Sequence, residues 1–360
     1  FYLGLKRHGR VSQALRTGRD HLRAFLEDRV DREGFLAFVD WRQDGEAMWQ
    51  RYLKETAQVP ALARKASPPL RGLSWDLGPK LRTFLNNRKG FFLHKLVLRL
   101  DAAWRFSERS LLAGQVEAVL YNEFDQAEFE PLEDDPARTD LLLYEQGRGA
   151  RLTMLAFDRT FDLPWGFGGR AAWGIFESAW AGMGAEAFRF FDDGAWGLGL
   201  EGELVRKRDP DHPLALGGTS DDLYATAFCN AYWQAWPEQG VDVGLKAGRF
   251  LAGDWGARLD VRRTFRHVTV GAWYTVTDTS GFASARNQGH HEQGVYVRIP
   301  LSLFRDTDAP GHFRYAVSNF TRDPGQTVRQ PRSLFPLSPE ETAVQTRFRA
   351  GEMRPGDYRE

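Results

Sequence analysis

The run Phe92-Leu93-His94-Lys95-Leu96-Val97-Leu98-Arg99-Leu100-Asp101-Ala102-Ala103-Trp104-Arg105-Phe106 decides the fold class. Its alternate residues fall into two sets. One holds Phe92, His94, Leu96, Leu98, Leu100, Ala102, Trp104 and Phe106; the other holds Leu93, Lys95, Val97, Arg99, Asp101, Ala103 and Arg105. Successive side chains of a β-strand point to opposite faces. The run therefore reads as one strand with an apolar face and a largely charged face. It is much longer than the roughly five or six residues of an ordinary globular strand.

The pattern recurs along the chain. Trp196, Leu198, Leu200 and Leu204 oppose Gly197, Gly199, Glu201 and Glu203; Val241, Val243, Leu245 and Ala247 oppose Asp242, Gly244, Lys246 and Gly248. Ala257, Leu259 and Val261 oppose Arg258, Asp260 and Arg262, and Val268 to Thr277 and Val295 to Ser302 alternate likewise. Gly, Asp, Asn and Pro clusters separate these segments. Roughly twelve to fourteen strands are expected, within the range of bacterial barrels. Two architectures fit. In a soluble β-sandwich the charged face meets water. In a transmembrane barrel it lines the lumen, the apolar face meets lipid, and end residues such as Trp104, Phe106 and Trp196 form interfacial girdles. Alternation alone leaves both open.

Composition narrows the function classes. Lys+Arg and Asp+Glu are both 48, so no net field draws the chain to nucleic acid or an anionic surface. The 36 Gly and 26 Phe suit large antiparallel sheets. Cys229 is the only cysteine, which excludes an intrachain disulfide and a cysteine metal site and reads as a wall residue. No apolar run approaches about 18 residues, so no transmembrane helix is expected, which leaves barrel strands open. The start at Phe1 suggests a processed or partial chain.

The chain changes texture along its length. Residues 1–66 read as a small α/β module: a strand at Phe1–Leu5, a helix over Val11–Val30, a strand at Phe35–Val39 and a helix over Gly45–Ala57. Pro60, Pro68 and Pro69 suggest a linker. Residues 67–330 carry the alternating strands, and 331–360 a polar C-terminal tail.

Motifs for chemistry do not hold together. Gly197, Gly199 and Gly202 match a dinucleotide fingerprint, but they sit in a strand with no helix after it. Glu201 and Glu203 could span the short carboxylate separation of a glycosidase; solvated lumen carboxylates are the simpler reading. His290, His291 and Glu292 suggest a metal but read as an exposed loop without a third well-placed ligand. No nucleophile elbow, phosphate loop or zinc-protease helix is present. No enzyme, cofactor or metal is expected.

Several motifs together resemble the YjbH family of exopolysaccharide proteins, also called GfcD-like. Phe176-Glu177-Ser178-Ala179-Trp180-Ala181-Gly182-Met183-Gly184-Ala185-Glu186-Ala187 resembles its E-x-x-x-x-G-x-G-x-E stretch. Val205-Arg206-Lys207-Arg208-Asp209 is similar to its basic turn, and Gly248-Arg249-Phe250-Leu251-Ala252-Gly253-Asp254-Trp255-Gly256-Ala257 to its G-R-Y-L-A-G-D-x-G signature. Arg138-Thr139-Asp140 with Tyr144, and Thr321-Arg322-Asp323-Pro324-Gly325-Gln326, fit its flanking motifs. The loop before Gly294 and the Trp at 255 depart from the pattern.

The resemblance covers residues 70–330 and implies a mainly β transmembrane antiparallel barrel in the bacterial outer membrane, with a periplasmic module before it. It implies export or assembly of exopolysaccharide or capsule, with membrane lipid, polysaccharide and periplasmic export proteins as partners and no nucleic acid. Family members are usually longer. Arg99, Asp101, Arg170, Glu177, Glu186, Glu201, Glu203, Lys246 and Arg249 are the lumen-lining candidates. Gly253 and Asp254 are read as a structural turn. An outer-membrane enzyme acting on lipid or polysaccharide, and a soluble carbohydrate-binding β-sandwich, are the alternatives.

Overall fold

The computed structural model describes residues 2–7, 10–26, 29–30, 34–35, 37–42, 72–87, 90–107, 109–128, 133–192, 195–212, 214–236, 239–265, 268–300, 312–318 and 322–335. The first strands, β1 (Tyr2–Arg7), β2 (Arg10–Arg16) and β3 (Asp40–Arg42), make a small antiparallel sheet, with helix α1 (Arg19–Leu26) between β2 and β3. The helix expected from Val11 therefore begins later. Residues 10–16 pair with β1 instead, and Thr17 and Gly18 interrupt the chain before α1, whose first turn carries Asp20. The strand expected at Phe35–Val39 is displaced too: Gly34 and Phe35 are helical, and β3 starts at Asp40. The second expected helix and the proline linker lie outside the described residues.

The remaining strands are β4 (Gly72–Asn87), β5 (Gly90–Arg105), β6 (Ser110–Asn122), β7 (Ala150–Asp162), β8 (Gly168–Ile175) and β9 (Trp180–Phe191). They continue as β10 (Trp196–Lys207), β11 (Tyr224–Trp236), β12 (Val241–Arg249), β13 (Trp255–Phe265), β14 (Val268–Thr277), β15 (Glu292–Pro300) and β16 (His312–Ser318). They form one 13-stranded sheet in which each strand pairs with its sequence neighbours. No register joins β16 back to β4 among the described residues, so the sheet is open where a closed barrel was expected.

The two faces of this sheet are inverted relative to a soluble protein. On β10, Leu200 is 61% exposed while Glu203 is 3% exposed. Trp75, Leu77, Leu81, Trp104, Trp173, Met183, Leu198, Trp233, Leu259, Val270, Val276 and Val295 are also exposed. Lys95, Asp101, Glu117, Asp158, Arg170, Glu186, Asp242, Asp260 and Arg262 are buried. A soluble sandwich would pack the apolar face against a second sheet. Here that face stays uncovered, and Cys229 lies on it, exposed.

The two ends differ in connection length. At one end, β5 to β6, β7 to β8, β9 to β10, β11 to β12 and β13 to β14 are each separated in sequence by about two to five residues, and β15 to β16 by more. Residues 123–149, 208–223 and 278–291 form long loops at the other end. Within the sheet, the glycines of the false dinucleotide motif allow close packing. A Cβ on Gly199 would lie 2.5 Å from the Ala187 carbonyl oxygen and 2.5 Å from the Phe188 ring. Gly199→Val is therefore expected to lower stability by about 1–3 kcal/mol through overpacking, measured as a lower unfolding midpoint in detergent.

Candidate functional site

The buried face is a chain of ion pairs. Arg99 Nε donates to Asp101 Oδ2 at 2.8 Å, and Gln115 Nε2 donates to Asp101 Oδ1 at 2.6 Å. Arg170 Nε donates to Asp158 at 2.6 Å and has Glu186 at 3.7 Å. Glu201 accepts two bonds from Lys246 Nζ, at 2.8 and 2.9 Å, and one from Asn230 Nδ2 at 2.8 Å. Glu203 lies beside them with Oε2 buried and without a hydrogen-bond partner among the described residues. Arg249 donates to the Ala225 carbonyl. Glu177 stands apart from the strand residues: it sits in the β8–β9 turn and holds Arg138 in a two-bond pair, each bond 2.8 Å.

Charges taken out of water are costly unless paired, and much of the pairing comes from outside the strands. Residues 322–335 follow β16 and run back along the charged face, from the long-loop end toward the short-turn end. Gly325 N–H donates to Asp254 Oδ2 at 2.8 Å, and Leu251 N–H donates to the Gln326 carbonyl at 2.9 Å. Arg170 Nη2 then donates to Gln330 at 3.1 Å, and Arg332 pairs with Asp158. Glu186 accepts the N–H groups of Leu334 and Phe335, both at 2.7 Å, and Phe335 packs edge-on against Phe188. Residues 331–335, expected to begin a polar tail, are thus an interior strap; residues 336–360 lie outside the description.

The second insert is the loop 123–149, with the short helix α2 (Leu141–Glu145). Arg82 reaches Glu145 at 2.5 Å and Glu117 at 2.6 Å, and Lys95 reaches Glu145 at 2.9 Å. Burial pushes the Glu145 carboxyl upward, but the Arg82 and Lys95 charges outweigh it, so its pKa falls below the ordinary value.

The spaced sequence motifs meet at this long-loop end. Asp323 Oδ1 accepts the N–H groups of Ala137, Arg138 and Thr139, at 2.9, 2.7 and 3.0 Å. Asn287 Nδ2 reaches Asp323 at 3.1 Å and Glu133 at 2.9 Å. Lys207 Nζ donates to Asp140 at 2.6 and 2.5 Å, and Tyr144 Oη donates to the Arg208 carbonyl at 2.8 Å. Gly253 turns with φ +91°, as a tight turn requires, and Asp254 adds the bond to the strap. Asp158 follows the alternation of β7 and was readable from it. Arg332 carries no local signal, and Asp323 lies in the Thr321–Gln326 motif but with partners far away in sequence.

His290 Nε2 lies 3.8 Å from Glu292 in a loop whose Asn287 is fully buried rather than exposed. No group of three or more His, Cys, Asp or Glu gathers to hold a metal among the described residues. Glu201 is tied to Lys246 and Asn230.

Fold and site together define a single-layer antiparallel sheet with a strapped, ion-paired inner face and a hydrocarbon outer face. The chain belongs to the YjbH family, described as exopolysaccharide biosynthesis protein YbjH, whose model matches residues 12–339. It is also similar to the uncharacterized lipoprotein YjbH of Escherichia coli (strain K12), 28% identical over 271 residues. That match covers 73% of this chain and 38% of the relative, so the chain spans well under half of that protein's length. No solved structure matches significantly.

Two outcomes are expected. Asp323→Ala strands three backbone donors, each worth about 1–3 kcal/mol when buried and unmet. Limited proteolysis should then cut residues 322–335 under conditions where the parent resists. Burial pushes the Asp254 carboxyl above its ordinary value. Its contribution to stability is therefore present at low pH and lost as pH rises through its folded pKa. Asp254→Asn keeps an acceptor for Gly325 and should stabilise at pH about 7, with the difference gone below pH about 4, read from unfolding midpoints across pH.

Proposed function

We propose that residues 67–330 form an outer-membrane β-barrel serving the secretion or assembly of an extracellular polysaccharide. Residues 1–66 are then a periplasmic module. The observation that carries this reading is the inverted sheet, charged within and apolar without, which water would penalise and lipid would favour. Strand length supports it: β4 and β5 have 16 residues each, and about 9–11 suffice to span a bilayer. An outward aromatic row fits an interfacial girdle. Trp104 and Phe106 lie 4.6 Å apart, Phe106 and Phe157 6.1 Å, and Phe157 and Trp173 4.4 Å.

Orientation follows from connection length. Outer-membrane barrels keep short turns in the periplasm and long loops outside. The chain enters β4 at the short-turn end, which supports a periplasmic position for the N-terminal module. The long-loop end, where the motifs meet, then faces the cell surface.

The family description supports the polysaccharide pathway, and the lipoprotein relative supports the cell envelope. Arg99, Asp101, Arg170, Glu186, Glu201, Glu203, Lys246 and Arg249 act in this reading as lumen wall rather than as catalysts, and Glu177 in the β8–β9 turn holds the loop residue Arg138. Membrane lipid, the polysaccharide and periplasmic export proteins are its partners; nucleic acid is not. With the strap in place most of these charges are engaged internally. The described conformation is thus an assembly scaffold, and polymer passage through it requires the strap to leave.

Purification tests the reading. The chain should need detergent and show a heat-dependent shift in gel mobility; a monodisperse chain in plain buffer overturns the barrel. Leu200→Arg, on the outward face, should lose about 2–4 kcal/mol in lipid if it lies near the bilayer midplane, measured by reversible unfolding from vesicles.

A further inference from the structure

Three strands that run toward the short-turn end finish on the same Arg-x-Phe pattern. β7 carries Arg159-Thr160-Phe161 before its last residue, β9 ends on Arg189-Phe190-Phe191 and β13 on Arg263-Thr264-Phe265. Residues two apart on a strand share a face, so each arginine stands beside an aromatic ring. Register places all three on the outward face. Arg189 pairs with Leu198 and Arg263 with Val270, both exposed, and Arg159 pairs with Ala171, two residues from the exposed Trp173.

Two of these side chains reach down to the turns. Arg189 Nη1 donates to the Trp165 carbonyl in the β7–β8 turn, and its guanidinium carbon lies 4.7 Å from the Phe191 ring centroid. Arg263 Nε donates to the Gln239 carbonyl in the β11–β12 turn at 3.3 Å, with its guanidinium 5.9 Å from the Phe265 centroid. Long cationic side chains on an apolar surface lay their stems along it and carry the charge to its polar boundary. Each of these bonds spends one of the five N–H donors of a guanidinium. None of the three arginines pairs with a carboxylate among the described residues. Two carboxylates at this end are engaged elsewhere: Asp162 holds Arg109 at 2.7 Å, and Asp192 accepts the Trp196 indole N–H.

We propose that this Arg-x-Phe row binds the headgroups of anionic phospholipids in the periplasmic leaflet. The inference rests on the barrel reading and names the lipid that the lower rim of the barrel selects. Position argues for lipid over a protein partner, because the arginines stand on the apolar face among outward aromatic rings, where a bilayer keeps soluble proteins away. Chemistry argues for phosphate. A guanidinium presents paired N–H groups in a fixed fork that matches phosphate oxygens.

Charge then selects among phospholipids. A zwitterionic headgroup carries its own cation beside the phosphate, and that cation is repelled by the arginine. A net negative headgroup has none, so each arginine of the row adds to the preference for it. The phenylalanine rings sit at the level of the interfacial girdle and give the top of the acyl chains an apolar contact beside each guanidinium.

The test places the full chain in detergent micelles doped with phosphatidylglycerol or phosphatidylcholine and measures retained lipid by native mass spectrometry. Phosphatidylglycerol should be retained in preference. The triple variant Arg159→Gln, Arg189→Gln and Arg263→Gln should lower its affinity about tenfold or more and leave phosphatidylcholine unchanged. Arg159→Gln alone should lower the preference in the same direction. The Arg159 side chain makes no hydrogen bond among the described residues, so this variant serves if the triple variant fails to fold. Equal retention of the two lipids by the parent, or a parent-like preference in the folded variants, overturns the proposal. The heat-dependent mobility shift, measured on the same samples, separates this from failure of the barrel. A shift without lipid preference sinks the headgroup row alone, and no shift in either lipid sinks the barrel on which it rests.

Discussion

Everything in this structure depends on keeping charge buried on one face of a single sheet. A lone carboxylate or guanidinium removed from water is unstable by several kcal/mol, and pairing restores the balance only when the geometry is good. The sheet supplies some pairs itself, such as Lys246 with Glu201 and Arg262 with Asp242. It cannot neutralise Asp158 and Glu186 with strand residues alone. The strap completes them with Arg332 and the backbone of residues 334 and 335.

The same constraint explains why widely separated motifs share one place. The stretches at 138–140, 177, 205–209, 248–257 and 322–326 are each short and each unremarkable as chemistry. In the fold they meet where loop 123–149, the β8–β9 turn, the β12–β13 turn and the start of the strap converge. Asp323 gathers three backbone donors there, and Lys207 with Asp140 seals the adjoining contact. Their shared role is to fasten two inserts to the inner face.

Much of this was legible in the sequence, and the limits have physical reasons. Strand alternation is local and of period two, so Phe92–Phe106 placed Lys95 and Asp101 on one face and Leu100 and Trp104 on the other, as found. Glu201 and Lys246 were readable as wall residues, but their pairing was not, since it depends on register across β11. The strap was invisible: Arg332 and Phe335 sit in a polar, proline-bearing stretch, and their partners lie over a hundred residues away. The N-terminal helix begins later than its spacing predicts because pairing with β1 overrides helical spacing in residues 10–16.

The central claim is that the apolar face meets lipid. Tryptophan quenching by lipids brominated on their acyl chains tests it most directly, because Trp75, Trp104, Trp173 and Trp233 are exposed on that face and Trp180 is buried within. In reconstituted vesicles, most of the emission should be quenched, and Trp180→Phe should leave the quenched fraction nearly unchanged or higher. Emission indifferent to the brominated chains would contradict the account.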